Sequence, residues 1–206
     1  MPSEAHKALK AVDNVLSFAK PTGGKPSAQE RSLFVAAVAL AYAVWENYVE
    51  DLLIEAVGFL STHVDPARVP EEAKAFISKD ATPWDLAVHP GWQALWLHRI
   101  RERAKGREDD DRNFGLLTAD VDRVQRLYTN AGLEPFDGLD SNKRAQLNDL
   151  VKLRGDIVHT GKAPEGFYKA DAVGSKDVVE SLAAHVDGAV RQQARTLAGS
   201  VFPWPP

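Results

Sequence analysis

A chain of 206 residues, 44% hydrophobic and 26% charged, is long enough to bury a sizeable core and has the composition of an ordinary soluble domain. It contains no cysteine, which excludes disulfides, a thiolate nucleophile and a cysteine-based zinc site; a reducing, cytoplasmic setting fits this. Its formal net charge of −4 excludes coating of nucleic acid by bulk charge, so any such contact must be local.

The predicted elements are helices throughout, and no stretch alternates with the period of a strand. Residues 3–19 form a first short helix, without the apolar core of a signal peptide. "KPTGGKPS", from Lys20 to Ser27, breaks it with two prolines and two glycines. Ser27 and Glu30 stand at capping-box spacing, which predicts a long second helix from about Ala28 to Thr62. Its uncharged apolar run, Leu33 to Trp45, covers thirteen residues, too short to span a bilayer, and Glu46 follows directly. No membrane association is expected. The first half of this helix is apolar nearly all round, which predicts burial on several sides. In the second half Trp45, Tyr48, Val49, Leu52, Leu53, Ala56, Val57 and Leu60 follow a single stripe.

Pro66, Pro70, Pro83 and Pro90 punctuate the next stretch, with short helices expected at 70–79 and 91–105. "GREDDDR" (Gly106–Arg112) reads as an exposed charged loop. A helix over 118–131 stops at Gly132. Ser141 or Asn142 caps the next helix, which ends in "LVKLRGDIVHTGK" (Leu150–Lys162). A Gly- and Pro-containing loop leads to a last helix, about 175–199, and residues 200–206 form a tail. The expected fold class is all-α, a single-domain helical bundle with a long second helix. Residues 1–27 supply an N-terminal helix and linker, and 28–199 the helical domain.

The chemistry concentrates near Arg154. With Leu147 as origin and about 100° per residue, Leu150, Val151, Ile157 and Val158 fall on one sector, and Arg154 sits near its middle. A guanidinium among apolar neighbours is costly unless it is paired or binds an anion. Two readings are open: a salt bridge to Glu46, Glu50 or another bundle acid, or a cleft that accepts anions. His159 lies about 140° further round on a continuous helix. It is either a proton-transfer group or a C-terminal histidine favoured by the helix dipole. Glu46 and Glu50, one turn apart and like-charged, read as a solvated face, with orientation of Arg154 as the alternative. Between Lys143 and Lys176 seven Lys or Arg face four acids, a local excess that offers a path for a phosphodiester or forms a mixed solvated face. His6, His63, His89, His98 and His185 show no metal-ligand pattern. Trp84, Trp92 and Trp96 are candidates for stacking bases, and Trp92 and Trp96, at helical spacing, alternatively fill the core.

"LNDLVKLRGDIVHTGKA" resembles the signature of the HEPN superfamily, the higher eukaryote and prokaryote nucleotide-binding domains, which carry R-x-x-x-x-H near the end of a core helix. "AYAVWENYVEDLLIEAV" (Ala41–Val57) is similar to the earlier long helix of the subgroup related to RNase L and PSP nuclease-like HEPN families. The resemblance covers about residues 28–199. It implies an all-helical bundle that dimerises through the motif helices, and a metal-independent endoribonuclease, often a toxin or antiphage effector, with no cofactor. It implies RNA as substrate, a homodimer, and an antitoxin or regulatory protein as a further partner. Arg154 and His159 match the two catalytic positions. Asp156, Glu46, Glu50, Lys152 and Lys162 are supporting candidates, and no metal ligand is expected. Members frequently carry a polar residue after the arginine; this chain has Gly155, with Asp156 next. The alternative is a non-catalytic module of the same fold that binds a protein or nucleotide.

Overall fold

The computed structural model describes residues 2–20, 25–79, 91–106 and 115–199. Trp84, His89, most of the expected charged loop and the 200–206 tail lie outside the described residues. Among the described residues there are seven α-helices and no strand, as an all-α fold requires. They are α1 (Pro2–Ser17), α2 (Ala28–His63), α3 (Glu71–Ser78), α4 (Gly91–Lys105), α5 (Val121–Thr129), α6 (Ser141–Thr160) and α7 (Lys169–Leu197), with a 3-10 turn at Pro66–Arg68.

Local chemistry sets most of these boundaries. Ser27 Oγ accepts from the Glu30 N–H at 3.2 Å and Glu30 Oε2 accepts from the Ser27 N–H at 2.9 Å, so the predicted capping box starts α2. Those bonds hold the Glu30 carboxyl below the usual range, the Ser27 backbone bond contributing most. α5 is shorter than expected because Asp120 caps it, accepting from the Arg123 N–H at 2.7 Å. α6 is capped by Asp140, not by Ser141 or Asn142; the Asp140 carboxylate accepts from the Lys143 N–H at 2.9 Å. α7 begins at Lys169, six residues before the expected start. Asp171 accepts from the Tyr168 N–H at 2.8 Å, the backward half of a capping box, and Gly174 is simply carried inside the helix.

The chain divides into two compact units. The first combines 1–48 with 139–185. Its core is Leu9, Val12 and Leu16 of α1, Phe34 to Tyr48 of α2 on one stripe, Leu147, Leu150 and Ile157 of α6, and Val179 and Leu182 of α7. Each such side chain contributes about 1.5–3 kcal/mol when fully buried. Asp13 takes Lys176 at 2.7 Å, His6 takes Glu180 at 2.7 Å, and Lys169 donates to the Ala19 carbonyl at 3.2 Å, which fastens α1 to α7. The Asp13 carboxylate raises the Lys176 ammonium above its ordinary value, outweighing burial. The expected burial of the first half of α2 on several sides holds only in part: Leu33, Val35, Leu40 and Val44 are half-buried.

The second unit combines 49–138 with 186–206. Leu52, Leu53, Val57 and Leu60 of α2, Leu95, Trp96 and Ile100 of α4, and Val124 and Tyr128 of α5 are buried there, and α3 packs on α4. Tyr128 donates to the Val49 carbonyl at 2.6 Å. Burial, with Asp187 second, pushes its phenol well above the usual value, so it stays a donor. Gly132 has φ +66°, and a Cβ there would lie 2.2 Å from Pro70 Cβ, so the predicted stop after α5 admits only glycine.

By length and composition α2 is one helix apolar enough to cross a membrane. Its apolar stripe here is the spine of both cores.

Candidate functional site

Arg154 and His159 both lie in α6, whose course decides what they can do. The helix runs unbroken through Gly155 to Thr160. Gly161 then adopts the left-handed conformation at φ 67° and donates to the Ile157 carbonyl at 2.7 Å, the predicted stop. Thr160 Oγ1 donates to the Asp156 carbonyl at 2.7 Å and accepts from the Lys162 N–H at 3.2 Å, which closes the turn. Because α6 is continuous, Arg154 and His159 stay about 140° apart around its axis. One copy of the helix does not bring them to one face.

Arg154 is half-buried, and its Cζ stands 5.0 Å from the centroid of the Tyr42 ring on α2. A cation over a ring face at this range is worth about 0.5–1 kcal/mol when exposed and about 2 kcal/mol when desolvated. Tyr42 is buried, and its hydroxyl donates to Glu46 Oε1 at 3.3 Å. Arg154 forms no ion pair among the described residues, so the salt-bridge reading of this residue fails there. Its planar donor fork is held against the ring rather than spent on a carboxylate.

His159 is exposed, as are Asp156, Lys152 and Lys162. Glu46 is half-buried in the first unit. Glu50 belongs to the second unit and is buried, not part of a solvated face: Lys105 lies 2.8 Å from Glu50 Oε2 and 2.9 Å from Asp51 Oδ1. Burial raises the Glu50 carboxyl, and Lys105 only partly offsets it. For Lys105 burial acts downward, but the hydrogen bonds to both carboxylates prevail and hold it above its ordinary value. Glu50 is thereby committed to Lys105. Trp96 is wholly buried and Trp92 half-buried, their rings 6.2 Å apart, as core packing predicts. Among the described residues no group of three or more His, Asp or Glu is placed to hold a metal ion.

The helical wheel placed Val151 and Val158 on the apolar sector, yet Val151 is half-exposed and Val158 is 54% exposed. Leu147, Leu150 and Ile157 face the core. Val151, Gly155 and Val158 form the adjoining stripe, at angles of about 40°, 80° and 20° from Leu147, between Arg154 at about −20° and His159 at about 120°. Sequence reasoning missed Tyr42 as the surface under Arg154; its signal was its place on the buried stripe of α2, four residues before Glu46.

Among the described residues the site and fold together define an all-helical chain with a guanidinium on a ring face, in no ion pair there, and an exposed histidine at the same helix end. No protein-family model, no curated protein and no solved structure matches the chain.

Proposed function

We propose that this chain is a metal-independent endoribonuclease of the HEPN-like helical type, acting as a cytoplasmic homodimer without membrane association. The observation that carries the reading is Arg154: half-buried, laid over Tyr42, and unpaired with any described acid. RNA strand scission needs a base for the ribose 2′-hydroxyl, an acid for the leaving oxygen, and a donor for the negative charge that builds on the phosphate. A guanidinium supplies the last as a planar fork, and an exposed histidine supplies either proton role near neutral pH.

The half-exposed stripe of Val151, Gly155 and Val158 between the two residues supports the dimer. Two α6 helices packed on that stripe about a two-fold axis bring the arginine of one copy toward the histidine of the other, with one histidine as base and its mate as acid. Lys152 and Lys162 add positive charge nearby, and Asp156 supplies the polar group after Gly155. Glu46 acts through Tyr42. An antitoxin or regulatory protein is the expected further partner.

The test is cleavage of labelled RNA in excess EDTA by wild type, His159→Ala and Arg154→Lys, with melting and light scattering on each. Wild type should be dimeric and should leave cyclic phosphate ends. Both variants should lose most activity, about 10²-fold or more for the histidine, while melting like wild type. Activity that appears only with magnesium or manganese rejects the mechanism.

The second reading is a non-catalytic module that binds a protein or nucleotide. The 140° between Arg154 and His159 favours it, since a lone chain holds no complete site. A wild-type monomer that cuts nothing would select it.

A further inference from the structure

The second unit holds a cluster that the proposed cleavage does not use. α4 ends at Lys105, and the chain returns at Gly115 against that last turn. The Leu116 N–H donates to the Ala104 carbonyl at 3.0 Å. Gly115 has φ +72°, and a Cβ there would lie 2.4 Å from the Ala104 oxygen, so the approach admits only glycine. This tight return and α5 enclose an open pocket of about 250 Å³. Three arginines line it, Arg103 from α4 and Arg123 and Arg126 from α5, over Leu116, Leu117 and Leu127.

The charges are not internally cancelled by the described residues. Arg123 is paired with Asp120, the residue that caps α5. Arg126 Nε donates to the Asp122 carbonyl at 3.3 Å, which fixes its stem without neutralising it. Arg103 and Arg126 form no ion pair among the described residues. Like charges gathered around one concavity repel and gain nothing from one another. An anion entering among them receives charge-assisted hydrogen bonds from more than one direction. The apolar side matters equally: Leu117 is 68% exposed at the pocket, an arrangement that water alone does not reward.

We propose that this pocket binds a small phosphorylated ligand that carries an apolar or aromatic body, with the phosphate on Arg103 and Arg126 and the body against Leu117. A pocket of this size lies just below the range of about 300–1,000 Å³ typical for drug-sized ligands, which suits a mononucleotide-sized group better than a larger one. The phosphate comes either from a free nucleotide or from the 5′ end of an RNA strand.

The full chain is titrated calorimetrically with inorganic phosphate, AMP and a 5′-phosphorylated dinucleotide. AMP should bind more tightly than inorganic phosphate. A dinucleotide tighter than AMP assigns the pocket to strand ends, and AMP at least as tight assigns it to free nucleotides. Arg103→Met with Arg126→Met should weaken AMP at least about tenfold, the equivalent of one charge-assisted bond. Leu117→Ser should weaken AMP but not phosphate. Arg154→Lys should change neither, which separates this pocket from the proposed cleavage site. Neutralising the run Glu108–Asp111 to amides should leave binding unchanged or tighter. All three arginines are exposed, so their variants fold, and melting verifies it. No binding of AMP by wild type, affinity that ignores the arginine pair, binding that follows Arg154, or binding lost with the acids would each overturn the assignment.

Discussion

Lys105→Met removes the ammonium that two carboxylates share. Glu50 is only 7% exposed, and its carboxylate already ionises against the grain because burial raises its pKa. Breaking one side of a fully buried pair costs about 3–5 kcal/mol. The Lys105 side chain is 39% exposed and Asp51 60%, so solvent screens the pair and the expected cost falls to about 1–3 kcal/mol. Near the middle of that range the melting temperature drops by about 4–8 °C, at about 2–4 °C per kcal/mol for a chain of this size. Methionine keeps most of the stem, so the loss reports charge rather than packing. The pH dependence follows from the raised Glu50 value. A carboxyl raised in the fold contributes stability fully present below its ordinary value of 4.5, and loses it as pH rises through the folded value. Without Lys105 the folded value rises further. The deficit of the variant is then largest at neutral pH and shrinks as pH falls through the raised Glu50 value and the carboxylate takes up its proton. Thermal melts of wild type and variant across that range measure it directly. A deficit independent of pH, or a variant that melts like wild type, would refute the account of Glu50 as a buried, Lys-dependent charge.

Two glycines make opposite predictions. In the dissociated chain Gly155→Ala should raise the melting temperature by about 2–4 °C, since alanine gains about 1 kcal/mol in a helix interior and a Cβ at 155 meets nothing within 4 Å of its own chain. Scanning calorimetry over a dilution series decides it: a dilute variant that gains nothing refutes the open space, and a gain that persists undiminished at concentrations where the chain is dimeric refutes the proposed α6 seam. Gly132→Ala should cost at least about 2 kcal/mol, because φ is +66° and the new Cβ runs into Pro70. A chemical-denaturation midpoint equal to that of wild type would refute the close approach.

The helices were legible because their signals are local. Ser27 with Glu30, the apolar stripe of α2 and Gly161 after Thr160 act within a few residues, and α2 and α6 end close to where those signals put them. The start of α7 was misread because Gly174 and Pro164 suggested a longer loop, while the Asp171 carboxylate had already closed the first turn. Arg154 was legible as an anomaly from periodicity alone. What holds it was not, because Tyr42 is more than a hundred positions away and only the packing of α6 near α2 brings the ring beneath it. Glu50 was read as a neighbour of Glu46 on one helix. Its partner Lys105 comes from α4, and no spacing rule connects the two. The arginine pocket was invisible for the same reason: no spacing rule connects Arg103 of α4 with Arg123 and Arg126 of α5, which line one pocket beside the Gly115 return.

The two units are interleaved along the chain, each built from two separated stretches. This has a consequence during synthesis. When residue 48 leaves the ribosome, Leu9, Val12, Leu16, Phe34 and Trp45 lack the 139–185 stretch that completes their unit. The next stretch of the first unit begins only at Leu139, roughly 90 residues and about 5–18 s of translation later at the usual rates. The first unit is therefore begun first and finished late, with apolar surface open to chaperones in the interval. A premature stop after His185 would leave every residue of that unit present, and would instead strip Val186, Val190 and Ala194 from the unit made mostly of the middle of the chain. Damage at the C-terminal end is felt by the segment between 49 and 138.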